Sequence, residues 1–314
     1  MWRILVHRVA IAVPTLVLVS MIVFGLQKML PGDPVLALAG EDQDPHVIAT
    51  LRHQYRLDRP LPVQYALWVR DLMHGDLGNS LRTGVPVSTL IAKKLPVTLQ
   101  LAALAMTIAV AIGITAGILA AANRGRVLDH AANVLALSGM SIPNFWLGIL
   151  LILVVSVHWH WLPSSGYVSP SEDLWLSVKT MIMPAFVLGA ALGAQLMRHT
   201  RSAMLSVLHA DYVRTARAKG LLRTAVIVKH AFRNALMPIV TVLALLFGEL
   251  LGGAVLTEQV FTIPGFGKLI VDAVFNRDYA VVQGVVLVTA LSYIAVNLFA
   301  DIVYVLLNPK LRHR

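Results

Sequence analysis

No cysteine occurs in the 314 residues of this chain. That absence excludes a disulfide framework, thiolate metal sites, iron–sulfur clusters and a catalytic thiol, and it leaves the redox state of the compartment unread. Charge is also scarce: Asp, Glu, Lys and Arg supply 13% of the residues, where a soluble protein carries about 25%. With 57% of the residues hydrophobic, the chain lacks the polar surface to cover itself in water, so a bilayer is implied. Acids are the rarer sign, 16 against 26 basic residues for a net charge of +10. Such a balance points to nucleic acid or to a membrane surface, and the distribution of the charge decides between them. A nucleotide-binding loop is missing too. The only Gly-Lys pair lies in Gly265-Phe266-Gly267-Lys268-Leu269, without the earlier Gly or the following Ser/Thr that a phosphate loop requires.

What is present is long apolar runs. A hydrocarbon core of roughly 30 Å takes about 20 apolar residues as a helix, and the sequence predicts spans at about 9–28, 97–121, 133–157, 181–197, 236–257 and 281–307. The first follows a basic start (Arg3, His7, Arg8) laid out like a signal peptide. Gln27-Lys28-Met29-Leu30-Pro31 stands where a cleavage site would be, so it reads as a retained span. Pro143 predicts a bend inside the third. Residues 29–96 are polar, with turn signals at Pro31-Gly32-Asp33-Pro34 and Gly75-Asp76-Leu77-Gly78. Within them Val47, Ile48, Leu51 and Tyr55, and again Tyr65, Trp68 and Leu72, recur at helical spacing. They predict short amphipathic helices on the membrane face, an ordered cap. The organisation read from this is an N-terminal region 1–96 (span one plus cap 29–96), a transmembrane domain 97–307 and a cytoplasmic tail 308–314.

Six spans place both termini on one side, and cytoplasmic segments carry the Lys/Arg excess. With the termini inside, the inner segments hold 15 basic residues against Asp129 and Asp211, and eight of the 15 fall between Arg198 and Arg233. The outer segments are near neutral, although Lys93 and Lys94 run against the rule. The positive charge is thus topological, and nucleic acid is set aside as a partner.

The segment between spans four and five is longer than packing requires. Asp211-Tyr212-Val213-Arg214-Thr215-Ala216-Arg217-Ala218-Lys219-Gly220-Leu221 predicts a short helix stopped by Gly220, with Asp211 and Lys219 complementing the helix dipole. Val226 to Pro238 predicts a second helix feeding directly into span five. Composition alone favours a basic loop facing lipid headgroups. The run at 212–221, followed by His230-Ala231-Phe232-Arg233-Asn234-Ala235-Leu236-Met237-Pro238, resembles the coupling loop of binding-protein-dependent ABC importer permeases, in particular the dipeptide, oligopeptide and nickel branch. The resemblance extends along nearly the whole chain. It includes Leu30-Pro31-Gly32-Asp33-Pro34, Leu57 to Tyr65, Ser141-Ile142-Pro143-Asn144-Phe145-Trp146-Leu147, Trp161 to Gly166, Thr257-Glu258 with Val260-Phe261, and Asn276-Arg277-Asp278-Tyr279. Where the general permease loop begins Glu-Ala-Ala, this chain has Arg214-Thr215-Ala216, the form of the peptide branch, so no role is carried over from that glutamate.

The resemblance implies an all-α integral membrane protein with the six-helix type I ABC importer permease fold and an extracytoplasmic cap between helices 1 and 2, in the cytoplasmic membrane. It implies a second homologous permease, two ABC ATPase subunits that bind ATP and Mg, an extracytoplasmic substrate-binding protein, surrounding lipid, and no cofactor or catalytic residue on this chain. Asp211, Tyr212, Arg214, Thr215, Ala216, Arg217, Lys219, Gly220 and Leu221 would contact an ATPase. The implied cargo is a di- or oligopeptide, with nickel, a metal chelate or glutathione as alternatives and an ion-coupled secondary transporter as the rival class.

Two acids fall within spans, where an ionised group costs roughly 2.5–3.5 kcal/mol at the centre and normally faces a cavity or a partner. Glu249 is a candidate for the translocation path, with Ser141 and Asn144, or for a structural hydrogen bond. Asp301 lies one helical turn from Asn297, and the two suggest a structural or gating cluster. His158-Trp159-His160-Trp161 suggests metal binding but reads better as an interfacial aromatic belt. An intramembrane hydrolase would need a Ser–His pair at membrane depth or a His-Glu-x-x-His helix, and the sequence offers neither. Gly113 and Gly117, Gly189 and Gly193, and Gly248 and Gly252 have the spacing that lets membrane helices approach closely.

Overall fold

The computed structural model describes residues 2–29, 35, 44–54 and 56–307. The motif at 30–34, Tyr55 and the tail 308–314 therefore lie outside the described residues. Regular structure among those described is helical, apart from an isolated antiparallel bridge between Asn79 and Pro86. The helices are α1 (Trp2–Met29), α2 (Pro45–Gln54), α3 (Leu61–Met73), α4 (Val87–Ala122), α5 (Val127–Ser141), α6 (Asn144–Leu151, continuing as a π-helical segment Ile152–His158), α7 (Leu174–Leu208), α8 (Asp211–Ala218), α9 (Arg233–Val260), α10 (Phe266–Phe275) and α11 (Tyr279–Leu307). Four helical stretches are long and apolar enough to cross a membrane, and α5 with α6 makes a fifth if that bent pair is one span. The described apolar part of α1, Ala10–Leu26, is shorter.

Several predicted boundaries need correction. Span two begins ten residues early, because Pro96 is accommodated inside α4 and Lys93 and Lys94 belong to that helix rather than to a loop. A helical proline removes one donor, a loss that surrounding protein can make good. Span four is the 35-residue α7, not the short 181–197 stretch, since nothing breaks the helix before His209. Arg198 and Arg201 accordingly ride on this helix. At Pro143 the third span does not merely bend. The helix ends at Ser141, Ile142 turns extended (φ −83°, ψ 122°), and Pro143 caps a new helix inclined by 97°. A residue before proline is driven out of the helical region, which explains the stop.

The described chain forms two compact units. The first, chiefly Thr98–Pro264 with Ala295–Arg314, is organised around α7, whose most apolar window is 72% buried against 28–39% in the other three long stretches. Lipid tails are as apolar as leucine, so helices in a bilayer associate through close packing of small residues. α4 and α7 do this. A Cβ added at Gly113 would come 2.7 Å from the Gly193 carbonyl, one at Gly117 2.6 Å from Thr200 Cβ, and one at Gly189 2.7 Å from the Ala105 carbonyl. Ala120, Ala136, Ala194 and Met197 extend the contact to α5. Elsewhere in the unit the Thr98 hydroxyl donates to the wholly buried Glu258, and Tyr167 donates to Gln100, which donates to Ser177.

The second unit is Trp2–Val97 with Gly265–Ile294. Its core joins Val87 and Ile91 to Phe266, Ala273, Val281 and Val285. Phe24 of α1 meets Tyr65 and Trp68 of α3 at ring separations of 5.4 and 5.9 Å, and the Ser20 and Tyr65 hydroxyls lie 2.8 Å apart. The helical spacing of Tyr65 and Trp68 thus serves packing on α1. A clasp closes on Asp278, which accepts from the Ser80 hydroxyl and from the Leu81 N–H at 3.1 Å. The turn that brings Ser80 there uses Gly78 (φ +78°), whose N–H donates to Asp76 and whose carbonyl accepts from Val87. Left-handed backbone of this kind suits glycine.

Candidate functional site: a basic helix on a glycine-stopped loop

α8 forms as predicted, ending two residues before Gly220. Ala210 is extended, Asp211 occupies the first turn, and Lys219 caps the end with its N–H donating to the Thr215 carbonyl at 3.0 Å. Gly220 follows at φ +75° with its N–H donating to Arg217 at 2.9 Å. This is the left-handed residue that commonly stops a helix. A Cβ at Gly220 would meet nothing within 4 Å, so the constraint there is backbone conformation and not space.

Burial divides α8 into two faces. Val213 and Ala216, three residues apart, are buried, while Asp211, Tyr212, Arg214, Thr215 and Lys219 are exposed. The 3.6-residue period makes 213 and 216 the inner stripe, which holds the helix in place. The outer face carries cations with little internal compensation. Arg214 approaches Asp211 at 3.6 Å, but both side chains are more than three-quarters exposed, and such pairs contribute little. Leu221 and Leu222 beyond the stop are also exposed, Leu222 at 76%. From Arg223 the chain is helical without a break through the turn Arg223–Ala225, the π-helical segment Val226–Phe232 and α9. The predicted helix from Val226 into span five is thus present, with a π-helical segment of the kind frequent at functional positions.

Asp129 was visible in the sequence only as an inner charge. It is buried, and Arg201 of α7 grips it in bidentate fashion, Nε to Oδ1 at 2.6 Å and Nη2 to Oδ2 at 2.8 Å. The Gly125 N–H and the Asn133 amide also donate to it. Arg201 therefore locks the turn before α5 to α7. The 72-residue separation of the partners left no local signal of the pair.

Glu249 is exposed on α9, between buried Gly248 and buried Leu250. Thr241, Leu245, Gly252 and Leu256 are exposed with it, and their spacing of three and four residues makes one uncovered stripe. A Cβ at Gly252 would meet nothing within 4 Å among the described residues, unlike those at the α4–α7 glycines. Ser141 and Asn144 lie on either side of the helix break. Ser141 is exposed with its hydroxyl donating to the Leu137 carbonyl, and Asn144 is half-buried. Asn297 is half-buried on α11, and the Asp301 side chain lies outside the described residues. Trp159 and Trp161, both exposed, approach with ring centroids 4.5 Å apart. No three metal-ligating side chains converge among the described residues.

Apolar helices long enough to cross a membrane, a glycine-packed pair among them, with a short basic helix on the loop between two of them, are those of an integral membrane protein. Residues 113–313 match the family described as binding-protein-dependent transport system inner membrane component, and residues 1–102 match the N-terminal component model of the same systems. The chain belongs to this family, as a multi-pass inner-membrane permease component of an ABC transporter, with the ATPase a separate subunit. Among curated proteins it is 43% identical to the dipeptide transport system permease protein DppB of Escherichia coli (strain K12), over 100% of both chains. A putative peptide transport system permease protein of Brucella abortus (strain 2308) is 41% identical, again over 100% of both. The glutathione transport system permease protein GsiC of Escherichia coli O6:H1 is 43% identical over 98% of each. The fold is shared with a chain of the inward-facing MetNI methionine ABC transporter, at a TM-score of 0.56 and 17% identity, covering 70% of this chain and 96% of that one. It is also shared with an amino acid ABC transporter, at 0.51 and 15%, covering 69% and 94%.

Proposed function

We propose that this chain is one half of the membrane pathway of an ATP-driven importer of di- or oligopeptides, working by alternating access. Identity of 43% to a dipeptide permease over the full length of both chains supports the substrate class. The observation that carries the mechanism is the two-faced α8, fixed inside by Val213 and Ala216 and presenting Tyr212, Arg214, Thr215 and Lys219 outward. In this reading α8 docks on one of two ATPase subunits, and the continuous helical path from Arg223 into α9 carries their movement to the pathway. A second permease completes that pathway, and an extracytoplasmic binding protein delivers the peptide. Six spans with both termini cytoplasmic put α8 on the side of the ATPases, as the charge distribution requires. On the opposite side the segment between α1 and α4 forms a cap, with α3 among its described helices.

Glu249 lines the path in this proposal. An acid in a membrane span is costly unless it faces water or a partner, and the uncovered stripe of α9 supplies such a face. The test is uptake of a labelled dipeptide by vesicles holding the complete importer, with and without ATP. Uptake requiring both ATP and binding protein is expected, and Glu249→Gln should lower it at least several-fold with assembly intact. Uptake driven by an ion gradient without ATP would overturn the class. Exclusive uptake of nickel or glutathione would overturn the substrate. Unchanged kinetics in Glu249→Gln would remove that residue from the path.

A further inference from the structure

A recess of about 500 Å³ opens between the C-terminal ends of α4 and α7 and the loop that carries α8. Its apolar wall includes Leu205, Leu208 and Val226, and the last two are buried. The polar wall is of one sign. Arg124, Arg217 and Arg223 line it together with His209, and none of the lining residues is acidic. The three arginines come from three segments: the turn after α4, the end of α8, and the start of the helical path into α9. Arg223 donates to the Ala122 carbonyl at the end of α4. Arg124 and Arg217 have no carboxylate partner among the described residues.

The three arginines are exposed, so water screens their mutual repulsion, and an anion held at this wall would be attracted by all three. Arginine's planar fork matches phosphate oxygens in pairs. A cationic wall joined to an apolar one suits an amphiphile with a phosphate head and an acyl body better than a freely diffusing anion. Basic pockets between membrane helices on the cytoplasmic side hold anionic headgroups for this reason.

We propose that this recess is a binding site for the phosphate headgroup of an anionic phospholipid of the inner leaflet, placed so that an occupied site ties α8, through Arg217, to the end of α4. The side of the membrane rests on the orientation given under Proposed function, whereas the binding chemistry rests on the recess itself. Lipid retention is therefore measured apart from transport.

The intact importer complex is placed in nanodiscs of phosphatidylcholine containing phosphatidylglycerol, and the lipids it retains are counted by native mass spectrometry. Retained phosphatidylglycerol is expected for the wild type, with weaker retention for Arg124→Lys/Arg217→Lys, which keeps both charges but loses the planar fork. For Arg124→Gln/Arg217→Gln the apparent affinity should fall roughly 30-fold, from about fivefold per arginine near an anionic surface. A phosphatidylglycerol with a photoreactive headgroup should cross-link in the wild type to peptides from 205–227 or 121–124, a readout that does not depend on a variant folding. Equal retention by the wild type and the glutamine pair, or cross-links confined to other segments, would overturn the proposal. Displacement of the lipid by inorganic phosphate at equal concentration would assign the site to a free anion and overturn the lipid. Failure of peptide uptake with lipid retention intact would overturn the transport reading and leave this site standing.

Discussion

The Asp278 clasp and the Gly220 loop are both polar turns between helices, and both depend on a glycine with positive φ, yet they treat charge in opposite ways. In the clasp the carboxylate is 4% exposed and satisfied by Ser80 and by backbone N–H groups. Around Gly220 the charged groups of α8 are exposed, with one weak ion pair between them, and of α8 only the small apolar residues Val213 and Ala216 are buried. Buried polar groups must find partners within the fold. Exposed ones are free to find them elsewhere. The clasp is thus a structural device, while the Gly220 loop holds its backbone in place and leaves its charges for other molecules.

Three substitutions would break that contrast if it is wrong. The largest effect is expected at Arg201, which anchors a charge in the same unit as the loop. Arg201→Ala leaves the Asp129 carboxylate buried without its bidentate partner and should cost about 3–5 kcal/mol, read as a lowered unfolding temperature in detergent. Asp278→Ala strands the Ser80 hydroxyl and the Leu81 N–H, and a loss of about 2–3 kcal/mol is expected by the same measurement. Gly220→Val should be the mildest for stability, about 1–2 kcal/mol for a side chain in left-handed backbone. Its larger consequence lies elsewhere. Stimulation of ATP hydrolysis by the loaded binding protein should be lost while the complex remains assembled, and normal stimulation would remove Gly220 from the coupling role.

The glycine pairs sharpen the same lesson within the spans. Gly113, Gly117, Gly189 and Gly193 share a spacing with Gly248 and Gly252, but the first four close the α4–α7 crossing while Gly252 faces open space. Spacing states that a helix has a flat stripe. Whether another helix of the same chain fills it is a tertiary matter. α8, its Gly220 stop and the helix running into α9 were legible because capping and dipole preferences act within a few residues. The Arg201 anchor and the composition of the basic recess were not, because they unite positions separated by tens of residues.

The sequence by itself determined that this chain is a membrane protein with several long apolar helices, though not where each begins and ends, and that a glycine-stopped basic helix lies between two of them, since composition, hydropathy and capping are local properties. Only the tertiary structure decided which charges are internal and which are presented. It turned Asp129, Glu258 and Asp278 into buried partners and left Arg124 and Arg217 facing an acid-free recess. The physical reason is that the cost of a charge is set by what surrounds it, and in a helical bundle those surroundings come from distant segments of the chain.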